Sequence, residues 1–146
     1  MTTDLSGPSR RKHITLVATA AAVFAVDLAT KITASAALAD RDIDLPGPLD
    51  LRLSHNPGVA FGMGNDTPTW LVLTLTGAVA AGIAVAAWRG LFASSIAAGV
   101  VVGGALANVA DRSQAGTVVD MLYTGWWPTF NVADIFITTG VAWWAI

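Results

Sequence analysis

Asp120 and Asp134 bracket the stretch "VVDMLYTGWWPTFNVAD", which leads into the last apolar run of an overwhelmingly greasy chain. A charged group at the edge of hydrocarbon costs roughly 3 kcal/mol even on lenient insertion scales, so two of them in one short stretch ask for a chemical reason. Asp134 is expected about one turn into the last helix and Asp120 in the connection before it. A modest fold-back then brings both carboxyls to one point. Two carboxylates sharing a site do not both ionise easily: one pKa rises and the pair carries a single proton at working pH. Such a pair can hydrolyse an amide without a covalent intermediate. The ionised member takes a proton from a water while the protonated member polarises the carbonyl, and a low-dielectric setting strengthens both effects.

Other reagents are scarce. Ser54 and His55 stand side by side, but neighbouring side chains of an extended segment point to opposite faces, which argues against a nucleophile–base pair. Ser94 and Ser95 have no histidine near them. The chain has no cysteine, which removes thiolate chemistry, disulfides and Cys-ligated metals. Every acid is an aspartate, and His13 and His55 lie far apart, so neither a metal site nor a cofactor is expected.

Bland readings stand beside the catalytic one. In "FNVAD", Asn131 fits a helix N-cap with Asp134 at the third helical position, where an acid complements the helix dipole, and this is compatible with a catalytic role. Asp120 alone also reads as a solvated loop residue. Asp111 falls at the carboxyl end of the third apolar run, where the dipole disfavours an acid, so it pairs with a cation or serves a site. Asn108 shares its face, and an Asn108–Asp111–Arg112 clasp holding the helix ends is the structural alternative. Asp27 and Lys31 are four apart on one helix face and read best as a second clasp. Asn56 and Gly58 of "NPGVAF" are, on their own, turn residues.

The elements that must position these groups follow from composition. The chain has 146 residues, 54% of them hydrophobic and 12% charged, with a mean hydropathy of +0.61. That describes an all-α membrane protein, with room for four transmembrane helices of about 20 residues each in one compact bundle. The net charge of -2 argues against nucleic acid as a partner. Residues 1–13 are expected as a disordered cytoplasmic tail ending in "SRRK", and residues 14–146 as a single membrane domain. The apolar runs are Ile14 to about Leu38, Trp70 to Trp88, Leu91 to Ala110 and Phe130 to Ile146, with "RG" at Arg89 and Gly90 as a tight turn. The first run is too long for a signal peptide's core, and three more follow it, so it reads as a retained span. The third is rich in Gly and Ala, which predicts a central helix. The fourth is roughly 25 Å as helix, short for a crossing, which leaves room for a native chain extending past Ile146.

One long hydrophilic connection, about residues 39–69, separates the first two spans. Within it "LDLRLSH" alternates, predicting a strand with Leu49, Leu51 and Leu53 on one side, part of a small extracytoplasmic platform. Lys and Arg are evenly split between the two sides. The cluster Arg10, Arg11 and Lys12 before the first span decides the orientation: amino terminus in the cytoplasm, long loop and both aspartates facing out.

Together and in order, "DLATK", "NPGVAF", "GGALANVADR", "VVD" and "FNVAD" resemble the bacterial lipoprotein signal peptidases, four-span aspartic proteases, over nearly the whole chain. The resemblance implies that Asp120 and Asp134 are the catalytic dyad. Asn56, Gly58, Asn108, Arg112 and Asn131 would shape the polar site and bind the substrate backbone, with Asp27, Lys31 and Asp111 supporting it. It implies a monomer in the bacterial cytoplasmic membrane, cleaving diacylglyceryl-modified prolipoproteins before the lipidated cysteine, with lipid tails between helices. The long loop would close as a lid through Phe61, Met63 or Trp70. Leu28, Ala107, Met121 and Ile135 depart from the family's usual residues. The rival reading is a small transport or scaffold protein whose intramembrane charges pair or relay protons. A relay needs carboxylates spread across the bilayer depth, whereas Asp27, Asp111, Asp120 and Asp134 are expected at one surface.

Overall fold

The computed structural model describes residues 9–58 and 66–145. Its elements run α1 Arg10–Ala37, β1 Asp50–Asn56, α2 Thr69–Trp88, α3 Ser95–Ala115, β2 Val118–Tyr123 and α4 Val132–Ala145. Of these, α1 and α2 are long and apolar enough to cross a bilayer, while α4 is an apolar helix of 14 residues.

The third apolar run is the hub. Helix α3 packs against α1, α2 and α4, as its small residues predict. Two consecutive glycines explain how it serves two partners at once. A Cβ on Gly103 would lie 2.5 Å from the Ala20 carbonyl oxygen on α1, and one on Gly104 would lie 2.9 Å from the Ala133 carbonyl oxygen on α4. No side chain fits at either place without moving a backbone.

The two ends of the bundle are fastened differently. At one end His13 stacks on Trp88 with centroids 4.1 Å apart, and its ring nitrogen meets the Trp88 carbonyl oxygen at 2.9 Å. Beneath them Leu16, Ala87, Ala98 and Val102 form an apolar cluster. At the other end β1 and β2 pair antiparallel, with Ser54 opposite Asp120 and Asn56 opposite Val118. Ala34, Leu38 and Met121 form a second core beneath this sheet, joined by Leu51 and Leu53, two of the three leucines the alternation sets on one side, while Leu49 falls before β1.

Several boundaries differ from the sequence expectation. Helix α1 begins at Arg10, so the basic cluster belongs to the helix, where nothing in "RRKH" resists helical geometry. Helix α3 starts later and continues past Ala110 to Ala115, ending at Gly116 in the left-handed conformation (φ 74). Asp111 and Arg112 therefore lie inside its last turns, with their carbonyls in the helix ladder. The connection after it is not all loop. β2 is a strand, and its Val-rich start finds the edge of β1 that a lone strand would leave unpaired. Phe61 and Met63, expected in the lid, lie outside the described residues. Trp70 is 67% exposed at the start of α2.

Candidate functional site

The fold-back that the two aspartates require is made by main chain. After β2 the chain turns through Gly125 (φ 84), and Phe130 bridges back to Leu122, donating to the Leu122 carbonyl at 3.1 Å and accepting from Met121 and Leu122. That return sets Asn131 directly beside Asp120 and starts α4 there.

Asn131 is fully buried and works in three directions. Its Nδ2 donates to Asp120 Oδ1 at 2.7 Å and to Asn108 Oδ1 at 3.2 Å, while its Oδ1 accepts from the Asp134 amide at 2.9 Å. The Asn131 amide donates to Asp134 Oδ2 at 3.2 Å, closing a reciprocal capping box at the start of α4. The cap expected from "FNVAD" is therefore present, and the same residue also grips Asp120. Asp134 Oδ1 accepts from Asn108 Nδ2 at 3.0 Å. Both oxygens of Asp134 thus have donors, all of them neutral amides.

Asp120 is buried, and burial together with the nearby Asp134 charge pushes its carboxyl up to about 7 against the opposing pull of hydrogen bonds from Asn131 and Asn56. Asn56 reaches it diagonally across the sheet, two pairs along from Ser54.

Lys31, Asp27 and Asp111 form a separate knot beside this pair. The Lys31 ammonium meets Asp27 Oδ2 at 2.7 Å, Asp111 Oδ2 at 3.2 Å and Asn108 Oδ1 at 2.9 Å, which uses all three of its donors. Asp27 Oδ1 accepts from the Ala133 amide at 2.7 Å, and Asp111 Oδ2 from the Val119 amide at 3.0 Å. Asp27 and Lys31 pair as their spacing predicts. The expected Asn108–Asp111–Arg112 clasp takes another form: Lys31, not Arg112, is the cation for Asp111. Arg112 is buried and turns away, donating through Nη2 to the Gly58 carbonyl at 2.7 Å, while Gly58 in turn donates to Asn56 Oδ1 at 2.9 Å.

All ten residues singled out from sequence therefore meet at the sheet end of the bundle. Sequence pairing missed their further partners, because Asp111 and Asn108 on Lys31, Gly58 on Arg112 and Asp120 on Asn131 come from other elements. Ser54 and His55 lie on β1 as neighbours on opposite faces, with His55 exposed. No group of three or more His, Cys, Asp or Glu among the described residues can hold a metal ion.

The pair opens onto a cavity of about 960 Å³ between α2, α3 and α4. Asn56, Asp120, Asp134 and Arg112 line its polar end, while Val79, Ile83, Val101 and Ile137 line its apolar length. Trp126, 78% exposed, stands at the mouth edge-on to Trp127. Among the departures, Ile135 borders this cavity, Met121 fills the core under the sheet, Ala107 is buried, and Leu28 faces outward. The arrangement can hold an extended chain end against two carboxyls while apolar groups lie along the helices.

Residues 19–146 match the family described as signal peptidase (SPase) II. Relatives include the lipoprotein signal peptidase of Rhodococcus jostii (strain RHA1), 39% identical over 142 residues that cover 90% of this chain and 71% of that protein. That of Rhizorhabdus wittichii is 41% identical over 134 residues, covering 84% and 78% respectively. A bacterial membrane enzyme solved by the in meso method at 2.3 Å resolution matches with a TM-score of 0.74 and 26% identity, over 88% of this chain and 83% of that one. A second, solved at 1.9 Å, matches with a TM-score of 0.69 and 24% identity over 88% of each chain.

Proposed function

This chain belongs to the signal peptidase II family, and from that premise we propose that it removes signal peptides from prolipoproteins as an aspartic endopeptidase. Asp120 and Asp134 form the acid–base pair. The substrate is diacylglyceryl-modified and is cut just before the lipidated cysteine. One observation carries the catalytic assignment: the two carboxyls meet at the polar end of the cavity with neutral amides on them, while the neighbouring Asp27 and Asp111 share the Lys31 ammonium.

The two carboxyls have different roles. Asp134 has donors on both oxygens and sits at a helix N-terminus, which offset part of the cost of burying its charge. It is the base. Asp120, buried and pushed up to about 7, keeps the proton and is the acid. Asp134 takes a proton from the attacking water as its oxygen adds to the scissile carbonyl carbon, and Asp120 gives its proton to the carbonyl oxygen. Asp134 then passes its proton to the departing amine nitrogen as the C–N bond breaks, and Asp120 recovers its own from the diol. Arg112 and Asn56 hold the peptide backbone near the pair.

The chain crosses the bacterial cytoplasmic membrane four times, amino terminus inside. Its 6 tryptophans support that placement: Trp70, Trp126 and Trp127 stand at the sheet end, and Trp88, Trp143 and Trp144 at the other, all at least 43% exposed, as two interfacial belts. Trp70 to Trp88 spans about 27 Å of helix, close to the thickness of a hydrocarbon core. Cavity and pair come from one chain, which supports a monomer acting alone on its lipid-borne substrate. Because the four inner aspartates collect at one end, a proton path across the bilayer is not supported.

Cleavage of a synthetic diacylglyceryl-cysteine prolipoprotein peptide in detergent tests this. The parent cuts before the modified cysteine, and Asp120→Asn and Asp134→Asn each lose about 10²–10⁴-fold in kcat while still melting cooperatively. A parent that is inert, or a variant that cuts at a near-normal rate, refutes the assignment.

A further inference from the structure

Threonine hydroxyls in an apolar helix ordinarily bond back to their own main chain. Thr76, on the α2 wall of the cavity, does so, donating to the Val72 carbonyl at 2.8 Å; Thr74 and Thr33 donate likewise to Trp70 and Ala29. On the facing wall, Thr138 and Thr139 of α4 line the same cavity and are exposed, yet neither hydroxyl has a hydrogen-bond partner among the described residues. A hydroxyl left unpaired in hydrocarbon is unfavourable, so a pair of them on the wall of a substrate-sized cavity points to a polar group that arrives with the ligand. Thr138 follows Asp134 by four residues. It therefore lies on the same helix face, about 6 Å farther along the axis from the carboxyl pair.

We infer that Thr138 is a specificity-determining residue that donates a hydrogen bond to an ester carbonyl of the glycerolipid carried by the substrate. The inference rests on the peptidase reading above. If the scissile carbonyl meets Asp120 and Asp134, the nearest ester carbonyl of a cysteine-linked diacylglycerol is about eight covalent bonds away, at most roughly 10 Å. That reach includes the Thr138 position. An ester carbonyl only accepts and an unpaired hydroxyl can donate, so the two are complementary. Ile135, Ile137 and Val79 beside it are apolar and Thr139 lies one residue round the helix, so the Thr138 hydroxyl, on the face of Asp134, fixes the depth at which the lipid is held while the apolar wall tolerates any acyl chain. Sequence reading had no signal for this, because the sequence does not show which threonines of a span bond back to their own backbone.

The experiment compares two otherwise identical lipopeptides, one with diacyl (ester) and one with dialkyl (ether) chains, cut by the parent, Thr138→Val and Thr138→Ser. On the ester substrate Thr138→Val is expected to raise KM about 2- to 10-fold with kcat unchanged, and Thr138→Ser to restore the parent value. The parent should show the same rise on the ether substrate, with no further rise in Thr138→Val. An equal penalty on both substrates would mean that the hydroxyl serves the fold or the surrounding lipid, and no penalty on the ester would mean that it serves nothing; either overturns the inference. If the parent cuts neither lipopeptide, the peptidase reading itself has failed. Melting temperatures of all three proteins, expected to coincide, separate a lost contact from a damaged helix.

Discussion

Two pairs of aspartates lie side by side at the sheet end, and the protein treats them oppositely. Asp27 and Asp111 share Lys31, and each also accepts a backbone amide, from Ala133 at the start of α4 and from Val119 in β2. That knot ties α1, α3, α4 and β2 together. Asp120 and Asp134 receive only neutral amide donors, from Asn131, Asn108 and Asn56, with no ion pair on either among the described residues. A carboxylate given a cation is spent on structure; one given amides alone keeps a proton equilibrium that chemistry can use. Asn108 stands between the two, accepting from Lys31 and donating to Asp134, so the brace sets the position of one proposed catalytic group without neutralising it.

The comparison breaks most visibly at Lys31. Lys31→Met leaves the fully buried Asp27 without its cation, and removing one partner of a buried pair costs about 3–5 kcal/mol. Melting followed by tryptophan fluorescence in detergent should show a large loss of thermal stability. Adding Asp27→Asn to the same chain should recover part of it, since the amide oxygen still accepts from Ala133. If Lys31→Met melts like the parent, the knot is not a brace.

The other pair should respond with the opposite sign. The Asp120 carboxyl is raised from the ordinary 3.8 to about 7 in the folded protein. Between those values the folded chain holds a proton that the unfolded chain has lost, so this group's contribution to stability falls as pH rises through that window and is lowest above 7. Asn carries no such cost. Asp120→Asn is therefore expected to match the parent near pH 4 and to exceed it at pH 8, by up to ~4 kcal/mol, as an inactive but more robust protein. The same shift fixes the upper limb of the rate profile: kcat/KM of the parent should fall as pH rises through about 7, as the acid loses its proton. A variant less stable than the parent at pH 8 would make Asp120 structural after all.

Much of this architecture was legible in the sequence, and the reason differs between the parts that were and the parts that were not. The helices and their hub were readable because apolar run length and small-residue content act locally, as Gly103 and Gly104 illustrate. The Asn131–Asp134 cap and the Asp27–Lys31 pair were readable because helical spacing of three and four fixes neighbours. The partner of Asp111 was not, because Lys31 approaches from another helix and "ADR" offers a nearer cation in Arg112. β2 was hidden by the aspartate in its middle, which reads as loop until its companion strand is known. The unpaired hydroxyl of Thr138 was beyond reach altogether, since a missing hydrogen bond leaves no mark in a sequence.

The finest test lies within the knot, where its two halves are unequal. The Asp27 side chain is 1% exposed and 2.7 Å from Lys31, whereas that of Asp111 is 22% exposed and 3.2 Å away. Water reaches Asp111 and screens its charge, and an asparagine there still offers an oxygen to the Val119 amide. Asp111→Asn should then cost about 1 kcal/mol or less, within the range of a partly solvated pair, and leave kcat nearly unchanged. Asp27→Asn should cost several times more, because it leaves the Lys31 ammonium, 3% exposed, with only its weaker carboxylate. Equal losses from the two substitutions would mean that Lys31 draws its stability from the three acceptors as a set, and that burial does not rank them.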